Sequence, residues 1–319
     1  MRDLKNKLTS SKNTKNIKNR RGKSFGYQVL GFGAGGVVAP SDYIVATGGT
    51  PSQSGDYEIR TFTGPGTFNI TCAAVLSPAN AIVDYMVVAG GGGSGGGGGG
   101  AGGFRESPGT ATGSYAVSPL GASPAAAIPV SVQGYSIAVG AGGPPGCQCH
   151  QGGNSSFSTI TSAGGGGGKG NADPTNSGGS GGGGRGSYGG CTGPAGSGNT
   201  PPVSPSQGNP GGIGTGPDAS QPYPPNRRGG GGGGANAAGK AFNAPNPGQG
   251  GGGVATSITG SSVNYAGGGG ASNPGPGTPS AGGSGGGGAG GSNGTANTGG
   301  GGGANGGSGV VIIRYKFQN

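Results

Sequence analysis

Strand-forming segments lie towards the two ends of the sequence and flank a long interior with a different pattern. Their β-branched and aromatic residues are typical of strands, and the segments are Tyr43 to Thr47, Tyr57 to Phe62, Thr67 to Thr71, Ile82 to Val88 and Gly309 to Phe317. The last of these, GVVIIRYKF, has the strongest strand pattern in the chain. A helical repeat of apolar positions is absent apart from a weak pattern over Leu4 to Ile17.

The residues between two of these segments predict a hairpin. Thr63-Gly64-Pro65-Gly66 joins the second segment to the third, and glycine and proline are typical turn residues. Because an isolated two-stranded hairpin is marginal in water, we expect the C-terminal strand to join the earlier strands in a small sheet. Ile128 to Val139 and Phe157 to Thr161 are further strand candidates that extend or cover this sheet.

The interior of the sequence is dominated by glycine. Of the 319 residues 92 are glycine, and 42 of these lie in nine uninterrupted tracts of four or more. The tracts are residues 90–93, 95–100, 164–168, 181–184, 229–234, 250–253, 267–270, 285–288 and 299–303. Because glycine has no side chain, only contacts between backbones can order such a tract.

Several kinds of structure are compatible with glycine-rich sequence. A flexible Gly/Ser linker is the simplest alternative. Collagen is excluded because it needs glycine at every third position, whereas residues 95–100 are contiguous glycine. Silk-like stacking fits poorly because small residues do not alternate with glycine. The favoured prediction is a bundle of polyglycine II helices, which have three residues per turn and point their N–H and C=O groups outward to neighbouring rods.

The spacing of the later tracts favours this bundle over the linker. Tracts begin at residues 229, 250, 267, 285 and 299, separated by segments rich in Asn, Pro and Ser. Such quasi-periodicity is typical of repeated structural units. The predicted fold is therefore all-β: a small sheet or sandwich clamp, formed by the N-terminal strands and the C-terminal strand, carries a layered bundle of polyglycine II helices.

This fold divides the chain into four predicted parts. Residues 1–24 form a basic arm, 25–88 a β-rich attachment region, 89–309 the bundle with its exposed loops, and 310–319 the closing strand. With 8% charged residues and no tryptophan, any conventional core is expected to be small. No run approaches ~20 apolar residues, so we expect no membrane partner.

The positive charge is concentrated in the arm. The net charge is +10, and residues 1–24 contain nine basic residues against a single acidic one, Asp3. The nine are Arg2, Lys5, Lys7, Lys12, Lys15, Lys18, Arg20, Arg21 and Lys23. Such an arm docks on a partner protein or binds nucleic acid, and the sequence leaves both interpretations open.

Inter-tract loops are the favoured binding candidates, because a rigid array holds loops that have little freedom to lose on binding. The longest runs over residues 185–228. Arginine and aromatic side chains offer bidentate, stacking and cation–π contacts to sugars, phosphates or acidic protein loops. The receptor-binding candidates are Arg185, Tyr188, Tyr223, Arg227, Arg228, Phe242, Asn243 and Tyr265. The alternative is that these side chains cap the ends of the rods.

An enzymatic function is not expected. His150 is the one histidine of the chain, and the eight acidic residues show no paired-carboxylate spacing. Lys169 lies in the run GGGGGKG, but a phosphate-binding loop needs Ser or Thr after the lysine, and here Gly170 follows. We therefore expect no cofactor.

Four residues raise the question of a metal site or a disulfide. Cys147, Cys149, His150 and Cys191 supply the ligand number of tetrahedral zinc, although the C-x-C spacing is not that of common structural zinc sites. A disulfide from Cys191 to one of the pair, or free thiols, are the alternatives. Cys72 lies in the strand region and is expected to be a buried, inert thiol.

An ordered series of motifs carries a family resemblance. The motifs are YEIRTFTGPGTFNIT, VDYMVVAGGGGSGGGG, AGGFRE, YSIAVGAGG, NSSFSTITSAGGGGG and GVVIIRYKF. Over roughly residues 55–319 the chain resembles the glycine-rich domain family common in structural proteins of bacteriophages, especially marine ones. The architecture also resembles the polyglycine II tail-fibre tip adhesins of T-even-type phages. The N-terminal part here is short and basic, and it has no residue-level match to the shaft-attachment module of those adhesins.

The resemblance implies a virion location and a binding role. We expect a non-enzymatic adhesin at a tail-fibre tip, attached to a virion protein through its N-terminal region and to a host surface receptor through its loops, with a homo-oligomer possible. One alternative is a structural virion component, such as a capsid decoration or minor capsid protein, whose arm docks on the shell or on packaged nucleic acid. Another is an ice-binding protein, which would need a regular row of Thr or Ala on one face.

Overall fold

The computed structural model describes residues 41–109, 115–121, 124–146, 150–168, 176–185, 193–214, 229–242, 248–272 and 279–318. Within these residues the chain is nearly all β, as predicted. The strands are β1 Ile44–Thr47, β2 Thr50–Ser54, β3 Tyr57–Phe62, β4 Gly66–Ala73, β5 Ile82–Val88, β6 Phe104–Glu106, β7 Ile128–Pro129, β8 Gly134–Ala138, β9 Ser155–Phe157, β10 Ile160–Ser162, β11 Val254–Thr256, β12 Val263–Tyr265 and β13 Val310–Lys316.

Helical structure in the described part of the chain is limited to two short 3₁₀ turns, Pro78–Asn80 and Pro119–Gly121. Neither has the length that a membrane-spanning helix requires, and the described residues contain no other helix. The architecture is therefore determined by how strands and extended glycine segments pack against each other.

Most strands belong to two antiparallel sheets. We name sheet A the order β1-β4-β8-β9-β10 and sheet B the order β2-β3-β13-β5-β6; β7 pairs with β5, and β11 and β12 form a separate hairpin. The C-terminal strand β13 lies between β3 and β5, with Val311 opposite both Phe62 and Val87. This confirms that the C-terminal strand joins the earlier strands. Strands β6 to β12 lie within residues 89–309, so the sheets extend beyond the two predicted β regions.

The predicted hairpin between β3 and β4 is wrong. Strand β3 pairs with β2 and β13, whereas β4 pairs with β1 and β8 in the other sheet. Both edges of β3 are occupied by other strands, so β4 cannot pair with it. Phe62 and Phe68 instead lie on either side of the turn and are buried in one apolar cluster. Residues 63–65 thus carry the chain from sheet B to sheet A.

A sandwich core lies between the two sheets. Phe68 of sheet A contacts Tyr315 of sheet B, with ring centroids 5.7 Å apart, and Phe157 at 6.2 Å in a nearly perpendicular arrangement. All three rings are fully buried. Cys72 is a free, buried thiol of sheet A, which agrees with the prediction for it. This core is the clamp that the sequence predicted.

Sheet B is buried on both faces. Alternate residues of β5 and β13 face the sandwich core, and the residues between them, such as Met86 and Ile312, face a second apolar cluster. This second cluster includes Ala101 and Ala235 of the glycine-rich interior and Ile258 of the segment after β11. Burial on both faces explains why the two strands read as continuous apolar runs.

The glycine tracts form extended rods, and the N–H groups of each of the first two tracts donate to three neighbouring segments. In the first tract, residues three apart donate to the same neighbouring segment, with N···O distances of 2.8–3.1 Å. The donor and acceptor pairs are Gly90 to Gly153 and Gly93 to His150, Gly91 to Gly307 and Ser94 to Ala304, and Ala89 to Gly103 and Gly92 to Gly100. A three-residue repeat of outward bonds is the property of a polyglycine II helix, so the predicted bundle is present.

The second tract repeats this arrangement with other neighbours. Its donor and acceptor pairs are Gly98 to Gly230 and Ala101 to Gly233, Gly99 to Gly302 and Gly102 to Gly299, and Gly100 to Gly166 and Gly103 to Ala163. The acceptor number rises along the first pair of bonds and falls along the other two. Parallel and antiparallel neighbours are therefore mixed around one rod.

The bundle includes rods that the contiguous tracts do not mark. Gly196 donates to Gly182, Gly211 donates to Gly196, and Gly212 donates to Gly231. Residues 193–214 therefore belong to the bundle, and the interpretation of residues 185–228 as one long excursion is wrong over this part. The glycines here are separated by residues that include Asn, Pro and Gln. These residues continue the same extended backbone at positions where a side chain has room.

Side-chain amides complete the bonding where a rod lacks a backbone partner. The buried Gln207 accepts the N–H of Ala163 at 2.9 Å and donates to the carbonyl of Pro201 at 2.8 Å. Asn209 donates to the carbonyls of Gly234 and Ala235 at 3.0 and 2.8 Å. Each amide carries a donor and an acceptor, as a peptide unit does, so it substitutes for one in the bundle.

A buried polar layer lies on the face of sheet B that meets the bundle. Asp84 of β5, Glu106 of β6 and Arg314 of β13 are each at most 1% exposed. Arg314 stands opposite Asp84 in the strand register, and its Nη1 donates to the carbonyl of Ile258 at 3.2 Å. Glu106 accepts the N–H of Ser118 at 3.0 Å and the hydroxyl of Thr256.

The burial of Glu106 predicts a pH dependence of stability. Burial raises the pKa of this carboxyl, although hydrogen bonds from Ser118 and Thr256 oppose the change. Between the ordinary carboxyl pKa and the raised one, the unfolded chain loses a proton that the folded chain keeps. The free energy of unfolding therefore falls as pH rises through this window, by at most about 1.4 kcal/mol per pH unit for one group.

Replacing Glu106 with glutamine should remove this contribution. Glutamine keeps the shape of the side chain and can still accept from Ser118 while its amide donates to Thr256. Urea unfolding at a series of pH values from 4 to 8 is expected to show a smaller decline for Glu106→Gln than for the unchanged protein. Identical slopes for the two proteins would contradict the assignment of the decline to this group.

Candidate functional site

The rods have one end at sheet B and one end remote from it. Strand β5 ends at Val88 and leads directly into the first rod, which runs to Ser94. The second rod returns from Gly98 to Phe104, where β6 begins. The end at Ser94 is therefore the end away from the sheet.

Six segments outside the described residues interrupt the rods, and each is flanked by a described residue at this remote end. The segments are 147–149, 169–175, 186–192, 215–228, 243–247 and 273–278. The flanking contacts include Gly146 N–H to the Ser94 carbonyl at 3.0 Å, Gly168 N–H to the Gly93 carbonyl at 2.8 Å, Phe242 N–H to the Ile213 carbonyl at 3.2 Å, and Ser94 Oγ to Ser272 Oγ at 2.9 Å.

We name this surface, defined by Ser94, Gly146, Arg185, Ile213, Phe242 and Ser272, the loop-bearing end. Gly193 and Gly214 pair as an isolated antiparallel bridge beside it. Since every rod is held by neighbours on several sides, the surface is anchored on a rigid base. A rigid base presents loops at little cost in conformational freedom.

Two of the predicted receptor-binding residues lie at the loop-bearing end. The half-buried Arg185 lies against the backbone of Gly96, where a Cβ on that glycine would come within 2.8 Å of the arginine Cδ. Phe242 is also half-buried, and its backbone bonds to Ile213. The structure thus brings one guanidinium and one aromatic ring to the same end from segments far apart in sequence.

The prediction for Tyr265 is wrong. This residue belongs to β12 and is only 7% exposed, in the apolar cluster between sheet B and the rods. Its ring packs because β12 forms a hairpin with β11 that covers sheet B, and Val254 lies opposite it in the register. It therefore lies at the end of the bundle opposite the loop-bearing end.

The other predicted residues fall outside the described part of the chain. They are Tyr188, Tyr223, Arg227, Arg228 and Asn243 among the receptor-binding candidates, Cys147, Cys149 and Cys191 among the metal or disulfide candidates, and all nine basic residues of the arm. His150 is described: it is half-exposed, and its backbone carbonyl accepts the N–H of Gly93. Among the described residues no group of three or more His, Cys, Asp or Glu is arranged to hold a metal.

Sequence reasoning missed two residues of this surface. Ile213 is 46% exposed, which is unusual for a large apolar side chain at the end of a packed rod. Lys240 is exposed, and its Nζ donates to the side-chain oxygen of Gln249 at 2.9 Å. Each of these two residues lies a few positions before a segment that is outside the described residues and that separates two rods. Their position in the sequence, just before such a segment, could have indicated them.

The described charges are distributed unevenly between the two ends. Every acidic residue of the described part belongs to the sheet region, namely Asp42, Asp56, Glu58, Asp84 and Glu106. The described charged residues at the loop-bearing end are Arg185 and Lys240, both basic. Together with Phe242 and Ile213 they can contact a ligand that combines negative charge with an apolar face.

Comparison with known proteins gives one result for the chain. A family model described as a glycine-rich domain matches residues 62–316, from the end of β3 to the end of β13. No curated protein and no solved structure matches the chain. The matched range includes most of sheet B and the whole described bundle. The chain therefore belongs to the glycine-rich domain family.

Proposed function

We propose that the protein is a non-enzymatic virion adhesin that binds a host surface receptor through the loop-bearing end, at the tip of a tail fibre. The observation that supports this is that described residues flanking all six interrupting segments lie at the end remote from the sandwich. A fold that gathers the flanks of several segments on one surface suits recognition. The resemblance of the motif series to phage structural proteins supports the virion location.

The rigidity of the base supports the same proposal. A loop anchored on a rod whose peptide groups bond to three neighbours loses little freedom on binding, so more of its contact energy appears as affinity. The side chains at the surface, one arginine, one lysine and one phenylalanine, are suited to an acidic surface glycan or an acidic protein loop. Binding then comes from the loops, while the rods hold them in place.

A binding assay with matched variants tests the receptor part of the proposal. The purified protein is titrated onto bacterial cells that the parent phage infects, and retained protein is quantified. The double variant Arg185→Gln, Lys240→Gln is expected to bind at least about ten times more weakly, since arginine is prominent among residues that dominate interfaces. The variant Lys316→Gln, on the sandwich, should bind as the unchanged protein does. Equal binding by all three proteins would overturn the proposed surface.

Labelling of intact particles tests the location. Gold-labelled antibody against this protein should decorate tail-fibre tips. Label on the capsid would replace the adhesin with the alternative virion component, whose arm docks on the shell or on packaged nucleic acid. Exchange of residues 186–192 and 215–228 between related phages should then change host range while thermal unfolding stays the same, and an unchanged host range would also contradict the adhesin.

A further inference from the structure

A groove lies on the sandwich, apart from the loop-bearing end. It has a volume of about 430 Å³ and opens between β6, the turn that joins β9 to β10, and the extended segment that contains β7. Its lining residues are Tyr85, Arg105, Pro124, Ala125, Ala126, Ala127, Ile128, Pro129, Ser158, Thr159, Ile160 and Ser204. This volume falls in the range of small-molecule sites, roughly 300–1,000 Å³.

Tyr85 forms the floor of the groove. Its side chain extends from β5 towards sheet A, where the ring packs against Phe157 with centroids 6.5 Å apart. Although the residue is only 1% exposed, its hydroxyl makes no hydrogen bond with any described residue. A buried phenol normally finds a partner. Tyr85 is one of the residues that line the groove.

Arg105 supplies a charge beside this hydroxyl. It is the middle residue of β6, and its neighbours Phe104 and Glu106 are buried on the opposite face of sheet B, so Arg105 extends to the groove side. The side chain is half-buried and forms neither a hydrogen bond nor an ion pair within the described part of the chain. Burial raises the pKa of the Tyr85 phenol, while the positive charge of Arg105 opposes that rise.

The remaining walls separate into a polar side and an apolar side. Ser158, Thr159 and Ser204 contribute hydroxyls. Ala126, Ile128 and Pro129 contribute an apolar surface along β7 and the segment before it. The lining of the groove therefore combines a guanidinium and a phenol with three hydroxyl-bearing residues and an apolar surface.

We propose that this groove binds a small anionic sugar, a hydroxylated ring that carries one carboxylate or phosphate group. The anion accepts bonds from the Arg105 guanidinium, whose fork matches carboxylate and phosphate oxygens, and from the Tyr85 hydroxyl. The ring hydroxyls bond to Ser158, Thr159 and Ser204, and the apolar face of the ring lies on Ala126 and Pro129. The site is independent of the loop-bearing end and of the proposed adhesin function.

Titration calorimetry and saturation-transfer NMR on the full chain test this proposal with three probes. Glucuronate and glucose 6-phosphate present the two anionic groups on the same ring, and glucose presents the ring alone. At least one anionic probe is expected to bind, and glucose at least tenfold more weakly. The stronger of the two anionic probes identifies the group that the groove prefers.

Two variants locate the binding in the groove. Arg105→Gln should weaken the anionic probe at least tenfold, and Tyr85→Phe severalfold. Tyr85→Phe removes only an oxygen that has no hydrogen-bond partner among the described residues, so its thermal unfolding should match that of the unchanged protein, and its loss of binding cannot be attributed to misfolding. Lys316→Gln removes one positive charge from a residue outside the groove lining and outside the loop-bearing end, and it should leave the titration unchanged.

Three results would overturn the proposal. One is the lack of binding by both anionic probes at millimolar concentration. Another is binding that Tyr85→Phe and Arg105→Gln leave unaltered, and the third is equal affinity for glucuronate, glucose 6-phosphate and glucose. None of these results would bear on the adhesin, because the cell-binding assay tests Arg185 and Lys240, which lie outside the groove lining.

Discussion

Gly99→Ala is expected to destabilise the folded protein by about 3 kcal/mol or more, beyond the usual range for a single added methyl group. Gly99 donates to Gly302 at 2.9 Å and accepts from Gly269 at 2.8 Å. A Cβ added to it would overlap the carbonyl oxygen of Gly92 on a third segment. The rod cannot retreat from one neighbour without stretching its bonds to the other two. Urea unfolding followed by far-ultraviolet circular dichroism measures the loss.

Two glycines provide matched controls for this variant. At Gly252, also inside a tract, the nearest atom to an added Cβ is Ser284 Oγ at 3.6 Å, an ordinary contact. At Gly64, in the turn between the sheets, nothing lies within 4 Å. Alanine at either position should change the free energy of unfolding by less than about 1 kcal/mol. If all three variants behave alike, close approach of backbones is not the reason for glycine in the tracts.

Arg314→Met is expected to cost about 3–5 kcal/mol, because it removes the cation from a buried polar layer. The guanidinium lies 4.6 Å from the centre of the Tyr57 ring and 5.5 Å from that of Tyr115, and it stands opposite the fully buried Asp84. Methionine keeps the apolar stem but leaves the carboxylate of Asp84 in an environment of low polarity without this neighbouring positive charge.

Lys316→Met on the same strand is the matched control. The ammonium of Lys316 lies 5.9 Å from the centre of the Tyr43 ring, and the residue is half-exposed. Exposed cation–π contacts contribute about 0.5–1 kcal/mol, so the control should lose no more than that. A loss for Arg314→Met as small as for the control would show that the buried layer does not depend on its arginine. Guanidinium chloride would screen the charges, so urea is the appropriate denaturant.

The sequence predicted the parts of the fold for which a local residue pattern is compatible with only one structure. Ile82 to Val88 and the C-terminal segment are near-continuous apolar runs, interrupted by Asp84 and Arg314, and their burial on both faces of sheet B is what such runs indicate. The glycine tracts offer only peptide groups, so their bonding to each other followed from the need to satisfy those groups. Neither inference required knowledge of distant contacts.

The parts that were wrong depend on contacts between distant segments. Whether β3 pairs with β4 is decided by β2 and β13, which occupy both edges of β3. Tyr265 is the last residue of a strand of only three residues and lies just before a tract, a position that does not distinguish a loop from a hairpin. Residues 193–214 join the bundle although their longest run of glycine is two residues, so no tract indicates the rod.

The candidate sites show the same division. Arg185 follows a tract directly, so its position at the end of a rod could be predicted from the sequence. The presence of both Tyr85 and Arg105 in the groove could not be predicted from the sequence. The two residues lie on neighbouring strands that are joined by a pair of rods, and the segment around β7 completes the groove. The register of β5 with β6 is a property of the whole fold.

The bonding of the rods also determines the order in which the protein can fold. The first rod, at residues 90–94, donates hydrogen bonds to the carbonyls of Ala304 and Gly307, more than 200 residues later in the chain. Contacts of such wide sequence separation are slow to form because a long loop must close first. During synthesis, part of the hydrogen bonding of the first tract therefore cannot form until the C-terminal strand has left the ribosome. We expect the sandwich and the bundle to form together in one slow, late step.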